Sequence, residues 1–357
     1  MIVPADSPTG NAGLRAFAPR AAVLCLALVL GLSLFGCGEK NESTSGKKLK
    51  KDRIVLLLDW SPNTDHAGIY TGLKTGSFAR QGIALEPQVP SDPAAVIKQV
   101  AAGRADLGIS YQNEVMQARD AGVKIKAIGA IVNQPLNSLI WLKKSGIKSI
   151  KDLKGKTIGT SGAYPSAFLH AMLEHAGLKP GDVKEINVGY DLLPHLLAGK
   201  VDAVIGAYYN VEGVQLRLKG RPATILPVNE GGAPTYDELV VIASDLNLTD
   251  GGRVETYRRF LAGLRDGTLA AVADPKLAAD ALAPKAKDLD AKFIKASLTA
   301  TLPVLKPVAN KPYGYMDPLV WTNFANFMRD QGLLKNAPNT SEAYSNAFLP
   351  GNGPAQR

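Results

Sequence analysis

From Arg53 onward, short apolar runs of strand length alternate with stretches of helical period, and few folds satisfy that grammar. The run Ile54-Val55-Leu56-Leu57-Leu58 has no polar alternation, as expected of a strand buried on both faces. A loop over 59–65 follows, then a helical pattern over 66–81, a strand over 83–89, and a helix over 92–103 opened by Asp92-Pro93. Strands over 105–110 and 124–132 flank a helix over 114–121. A second unit repeats the order, with strands over 139–142, 157–160, 184–188, 203–206, 224–228 and 239–242, the last two completing its sheet. Its helices fall over 167–176 and 192–199, with a helical turn over 149–153. Such alternation specifies parallel sheets with helices on their faces. After Leu246 the period is helical, over 251–266, 268–273, 275–282, 286–302 and 318–331.

A chain of 357 residues has room for two such units, each with a sizeable core. An apolar content of 46%, a charged content of 20% and glycines without a fixed period exclude disordered and collagen-like chains. The net charge of +9 is spread along the sequence and makes no basic stripe on any helix, which argues against nucleic acid as partner. Solubility or attraction to an anionic surface remains as its use.

Residues 1–36 read as an address rather than as part of the fold. Arg15 and Arg20 precede an apolar stretch over 21–35, whose fifteen residues fall short of the about 20 that a membrane-spanning helix needs. The stretch runs into Leu34-Phe35-Gly36-Cys37, which resembles the lipobox of bacterial lipoproteins, with Phe35 bulkier than that pattern usually carries. That resemblance implies cleavage before Cys37 and lipidation of its thiol. Residues 37–52 are polar and Ser/Lys-rich, a flexible tether. The chain's two cysteines are Cys25 and Cys37, so no disulfide and no cysteine-held metal is expected after cleavage.

Four strand ends carry an aromatic beside an amide, hydroxyl or carboxylate. They are Trp60, Asn63 and His66; Tyr111 and Gln112; Tyr164; and Tyr208 with Glu212. Open α/β sheets gather ligands at the carboxyl ends of their strands, where helix N-termini offer unpaired N–H groups. Repeated there, these residues suggest a slot that holds a flat, nitrogen-rich ring by stacking and edge hydrogen bonds. Catalytic machinery is poorly represented. His66, His170, His175 and His195 have no metal-binding spacing, and there is no nucleophile elbow, phosphate loop or dinucleotide fingerprint. Glu174, Asp237 and Glu238 read as solvated charges.

Two stretches resemble the NMT1/THI5-like family: Asp59-Trp60-x-Pro62-Asn63-Thr64-x-His66-x-Gly68-Ile69-Tyr70, and Gly103-x-Ala105-Asp106-x-Gly108-Ile109-Ser110-Tyr111-Gln112. Lys151-Asp152-Leu153-Lys154-Gly155-Lys156-x-Ile158-Gly159 and Leu197-x-x-Gly199-Lys200-Val201-Asp202-Ala203-Val204-x-Gly206 are similar too, the last pattern being shared with nitrate, sulfonate and taurine binders. The resemblance covers about residues 54–242 and implies an α/β type II periplasmic-binding-protein fold. In that fold each of two lobes has a mixed, mostly parallel sheet flanked by helices, and ligand binds in the interlobe cleft. Lobe I would comprise 53–135 and the C-terminal helices of 244–357, lobe II 136–243, with two crossover strands as hinge.

The family includes lipoproteins of ABC importers that bind thiamine-pyrimidine precursors, and fungal pyrimidine synthases of the same fold. The resemblance therefore implies a periplasmic, lipid-anchored monomer that binds a hydroxymethylpyrimidine-like aminopyrimidine and meets an ABC permease and its ATPase. It implies no cofactor and no catalysis, because the synthases' cysteine-rich iron motif has no counterpart in the mature chain. Glu212 would pair with the amino group and protonated ring nitrogen. Trp60, Tyr164 and Tyr208 would supply ring faces, and Asn63, His66 and Gln112 edge hydrogen bonds. The strand-end loops hold no Arg, as suits a neutral or weakly basic ring. A flavin-like heterocycle, a sulfonate or nitrate, and a pyrimidine-precursor synthase stand as alternatives.

Overall fold

The computed structural model describes residues 51–337 and 339–351, so the leader, Cys37 and the tether up to residue 50 lie outside the described residues. Ten strands run in chain order: β1 (Asp52–Leu57), β2 (Ile83–Gln88), β3 (Leu107–Ser110), β4 (Ile125–Val132), β5 (Asn137–Leu142), β6 (Thr157–Thr160), β7 (Lys184–Asn187), β8 (Ala203–Tyr208), β9 (Ala223–Pro227) and β10 (Leu239–Ser244). They form two five-stranded sheets, ordered β2-β1-β3-β10-β4 and β7-β6-β8-β5-β9. The sheets share one wiring. In each, three parallel strands are followed by one antiparallel strand, β10 or β5, and then by β4 or β9.

A carboxylate fixes that wiring twice. Asp106 Oδ2 accepts the Val55 N–H at 2.8 Å, and Asp202 Oδ2 accepts the Thr157 N–H at 2.9 Å. Each Asp also donates its own N–H to the same residue's carbonyl, at 3.1 and 2.8 Å. The Gly-x-x-Asp turn thus satisfies backbone groups of the neighbouring strand, and it recurs before β3 and before β8.

Three expectations change. The run over 239–242 belongs to the first sheet, where β10 pairs antiparallel with β3 and β4, so the return crossover lies before Leu239 and not after 243. Burial on both faces makes such a run equally acceptable to either sheet, and sequence pattern alone does not choose. The helix over 66–81 is split at Gly76, whose φ of 74° ends Ala67–Thr75 in the left-handed region before Ser77–Arg80 begins. Conversely, the helix expected to break near Gly267 runs unbroken over Gly251–Ala273. A side chain at Gly267 would place its first carbon 2.4 Å from the Gly68 carbonyl oxygen and 2.6 Å from Gly72 Cα. That glycine lets two helices touch backbone to backbone. Smaller shifts also occur. β1 starts at Asp52, inside the expected tether, and Ala163–His175 begins early enough to put Tyr164 in its first turn.

The chain crosses between sheets at residues 133–136 and 228–238. The C-terminal helices, assigned above to lobe I, serve both sides. Tyr257, Phe260 and Leu264 of Gly251–Ala273 pack in the first sheet's core, whereas Phe324 and Phe327 of Pro318–Asp330 stack on Phe168 beside the second sheet, at 6.2 and 5.8 Å.

Candidate functional site

The site residues gather where the C-terminal ends of the central strands, β3 and β8, approach the two crossovers. Asp59, just past β1, is buried, and its carboxylate is held from two sides. His66 Nε2 lies 2.8 Å from Oδ1, and the Tyr111 hydroxyl donates to Oδ2 at 2.8 Å. Burial works to raise this carboxyl, but the His66 and Tyr111 hydrogen bonds outweigh it and hold it below the usual range. The Asn63 N–H donates to His66 Nδ1 at 3.2 Å, which leaves the ring proton on Nε2, facing Asp59.

His66 is therefore fully buried with both ring nitrogens engaged. It positions Asp59 and does not present an edge to a ligand, correcting its reading as a direct contact. Asn63 is likewise turned inward on its own loop, its Oδ1 accepting from the Asp65 N–H at 2.8 Å and its Nδ2 donating to the Ser61 carbonyl at 3.2 Å. An Asn before a helical turn is a cap, and here capping takes the amide.

Glu238 and Asp237, read as solvated, are both buried on the second crossover. Glu238 Oε2 accepts the Leu136 and Asn137 N–H groups at 2.7 and 3.1 Å and the Tyr236 hydroxyl at 2.7 Å. Its Oε1 takes the Tyr208 hydroxyl at 2.8 Å. One carboxyl thus stitches the two crossovers together and ties them to the end of β8. Burial pushes it up in spite of these donors. Asp237 is pushed up to about 7 by burial, against the Trp321 indole N–H at 2.6 Å.

Gln112 Oε1 accepts the Asp237 N–H at 2.7 Å, while its Nε2 is buried without a protein partner. Asn113 Oδ1, Asn137 Oδ1 and the Tyr164 hydroxyl are enclosed without partners too. Buried groups of this kind are costly unless something pairs with them. Tyr164 stands edge-on to Phe168, Tyr236 and Phe324, at 4.7, 6.1 and 6.3 Å. Glu114 and Glu212 occupy first turns of the helices after β3 and β8. Glu114 accepts from the Ser110 hydroxyl at 2.7 Å, Glu212 Oε2 from the Tyr208 N–H at 2.7 Å, and burial raises both. Burial, then the charges of Asp59, Glu114 and Glu238, also lifts the Tyr111 phenol well above 10.

Trp60 does not lie inside this cluster. It is 44% exposed and meets Tyr190, 81% exposed, at 5.4 Å between ring centres, so a ring from each lobe's loops meets at the rim. Nearby, Asn210 Nδ2 donates to Asp65 Oδ1 at 2.6 Å and to Thr301 Oγ1 at 2.8 Å, and the Ser297 hydroxyl donates to the Asn210 carbonyl at 2.6 Å. This polar knot also joins the lobes. Asp65 within it is pushed up to about 7 by burial. Among the described residues no Lys or Arg side chain is hydrogen-bonded to Asp59, Asp65, Glu114, Glu212, Asp237 or Glu238, and no group of acidic, His or Cys side chains is arranged to hold a metal. Tyr190 escaped the sequence reading, Asp59 entered it only as part of a motif without a role, and Glu238 was read as solvated. The signal for Asp59 lay in its place between a fully apolar strand and Trp60.

Comparison with known proteins bears on the family and the fold. A protein of Haemophilus influenzae named for thiamine biosynthesis is 36% identical over 289 residues, 80% of this chain and 90% of that one. The formylaminopyrimidine-binding protein of Halalkalibacterium halodurans is 26% identical over 324 residues, 90% and 97% of the two chains. A 4-amino-5-hydroxymethyl-2-methylpyrimidine phosphate synthase of Saccharomyces cerevisiae is 27% identical over 237 residues, 64% and 69%. Among solved structures, the periplasmic aliphatic sulphonate binding protein SsuA of Escherichia coli superposes with a TM-score of 0.66 at 15% identity, over 85% of this chain and 94% of that one. The fold is thus that of periplasmic binding proteins. With residues 63–278, more than half its length, matching the family's sequence pattern, the chain belongs to the NMT1/THI5-like family.

Proposed function

We propose that this protein is the extracytoplasmic, lipid-anchored substrate-binding component of an ABC importer, and that it carries an aminopyrimidine of the thiamine-precursor type to a membrane permease. The observation that carries the reading is the character of the buried cluster: carboxyls and phenols with no Lys or Arg bonded to them. Asp59 is held ionised, so the Tyr111 O–H is committed to it and the phenol oxygen faces outward as an acceptor. A ligand that suits such a site brings donors, as an exocyclic amino group and a protonated ring nitrogen do. A sulfonate or nitrate, all acceptor and negatively charged, meets acceptors and carboxylates.

Glu212 keeps one carboxylate oxygen for the ligand amino group while the other accepts the Tyr208 N–H at the end of β8. Gln112 Nε2, Asn137 Oδ1 and the Tyr164 hydroxyl complete the edge contacts, and Tyr164 and Tyr208 the ring faces. Trp60 closes the rim over them together with Tyr190. Two relatives, one named for thiamine biosynthesis and one for binding a formylaminopyrimidine, support the ligand class. Cys37 after the apolar leader supports the anchor.

Calorimetry with 4-amino-5-hydroxymethyl-2-methylpyrimidine, its formylamino relative, riboflavin and taurine tests the proposal. Aminopyrimidine binding that weakens by roughly 1.5–3 kcal/mol in Glu212→Gln is expected. Taurine binding without pyrimidine binding overturns it. Mass spectrometry of the ligand after long incubation checks for chemistry, and a product of altered mass overturns the receptor reading in favour of a synthase.

A further inference from the structure

The positive charge of this chain is not spread evenly over the fold. At one end of the second sheet every strand carries a basic residue: Lys143 just after β5, Lys156 just before β6, Lys184 at the start of β7, Lys200 ahead of β8 and Arg221 ahead of β9. Backbone pairing shows that these positions share one edge. The Lys143 N–H donates to Pro222 O at 2.9 Å, Trp141 pairs with Ala203, Asp202 N–H donates to Thr157 O at 2.8 Å, and Lys184 N–H donates to Lys156 O at 2.8 Å. At the other end of the same strands, the segments 133–136, 161–163, 188–191, 209–211 and 228–238 contain no Lys or Arg. The ligand end of this lobe is acidic and the far end basic.

The far end is also left largely unneutralised. Among the described residues only Lys154 there has an acidic partner, Asp182 at 3.4 Å. Asp152 and Asp202 keep their charge there but bind backbone N–H groups and pair with no lysine, so the basic residues outnumber them. The corresponding end of the first sheet is neutralised in part: Arg53 is paired with Glu86, Arg253 with Asp106, and Arg119 with Asp245 and Glu342, while Lys51, Arg104, Lys124 and Lys126 make no ion pair among the described residues.

We propose that this basic pole of the second lobe is a docking surface for an anionic lipid bilayer. Five strands spaced about 4.8 Å apart set the charges along roughly 19 Å, too far apart to converge on one small anion but suited to a field of headgroup phosphates. Four of the five are lysines, mobile point charges that follow a fluid surface, in place of the rigid forks that read one phosphate. Each Lys or Arg near such a surface adds to the attraction, and the sum is screened by salt. No exposed aromatic stands among them for nucleic-acid bases to stack on. The choice of a bilayer leans on the proposed extracytoplasmic anchoring, which brings the pole within reach of one. The pole itself is independent of which solute is carried.

The test uses the chain from residue 38, which lacks Cys37 yet keeps every described residue and both sheets with their cores, so its outcome does not depend on lipidation. Co-sedimentation is measured with phosphatidylcholine vesicles, with and without about 30 mol% phosphatidylglycerol. The wild type is expected to bind only the anionic vesicles, and a variant with Lys143, Lys156, Lys184, Lys200 and Arg221 all changed to Gln to bind at least roughly tenfold more weakly at low salt. A control with Lys98, Lys285, Lys292, Lys295 and Lys335 changed to Gln carries the same net charge and is expected to retain binding. Equal loss in both variants, no binding by the wild type, or equal retention by duplex DNA overturns the proposal. A circular-dichroism spectrum and melting temperature of the five-site variant equal to those of the wild type show that it is folded, whichever solute the protein carries.

Discussion

Asp59 acts through its neighbours. Its carboxylate accepts the His66 ring N–H on one oxygen and the Tyr111 hydroxyl on the other, so in the proposed complex the phenol oxygen is an acceptor for the ligand. Tyr111→Phe is expected to weaken aminopyrimidine binding about tenfold, and to leave unchanged the affinity for an analogue whose amino group is replaced by methyl. Calorimetry with both ligands reads this directly; equal losses for the two would show that the hydroxyl supports the fold and not recognition. Asp59→Asn frees the phenol to donate, so it should narrow the preference between the same two ligands. The Asp-Trp-x-Pro-Asn segment was legible as a family motif, but the hydrogen-bond roles inside it were not. Trp60, His66 and Asn63 are polar or aromatic residues in a loop, and only coordinates tell a cap from a contact. Glu238 shows the limit most clearly, since a carboxyl with four buried donors is written in sequence like any solvated acid.

Among the elements, the crossing of Ala67–Thr75 with Gly251–Ala273 depends on glycines at the point of contact. Intrinsic helix propensity favours Ala over Gly by about 1 kcal/mol, so Gly267→Ala on an exposed helix would stabilise. Here the added carbon meets backbone atoms of Gly68 and Gly72, which have no rotamer to move away, and a loss of roughly 3 kcal/mol is expected instead. Denaturant unfolding decides by the sign of the change. The same glycine explains why this helix reads as two in sequence: local punctuation signalled a stop, and tertiary packing overrode it. Strands and most helices were recoverable because burial imposes period on them. The partner of β10 was not, because a run buried on both faces carries no mark of which sheet receives it.

In the whole molecule, the Asp65–Asn210 bond and its hydroxyl partners join the first lobe's opening turn to the loop after β8. Burial pushes the Asp65 carboxyl up to about 7 from an ordinary 3.8. Between those values the folded chain holds a proton that the unfolded chain has released, so this group's contribution to stability is full below about pH 4 and falls away as pH rises to about 7. Asp65→Asn keeps an acceptor for Asn210 and removes the titration. The melting temperature of wild type minus that of Asp65→Asn should therefore decrease from about pH 4 to about pH 7. A difference independent of pH would mean that the carboxyl titrates at its ordinary value.

The return of the chain through β10 has a further consequence. Val132, the last residue of β4, faces Leu239, the first of β10, and Ser138 at the start of β5 faces Pro227 at the end of β9. The second lobe therefore has its entrance and exit side by side, like a cartridge in a socket. A tight Asn-Gly turn in place of residues 133–238 would close β4 onto β10 as a hairpin and leave every hydrogen-bonded neighbour in the first sheet intact. Lobes from other binding proteins of this wiring could be grafted at the same two seams, exchanging half of the recognition surface while the host half stays unchanged.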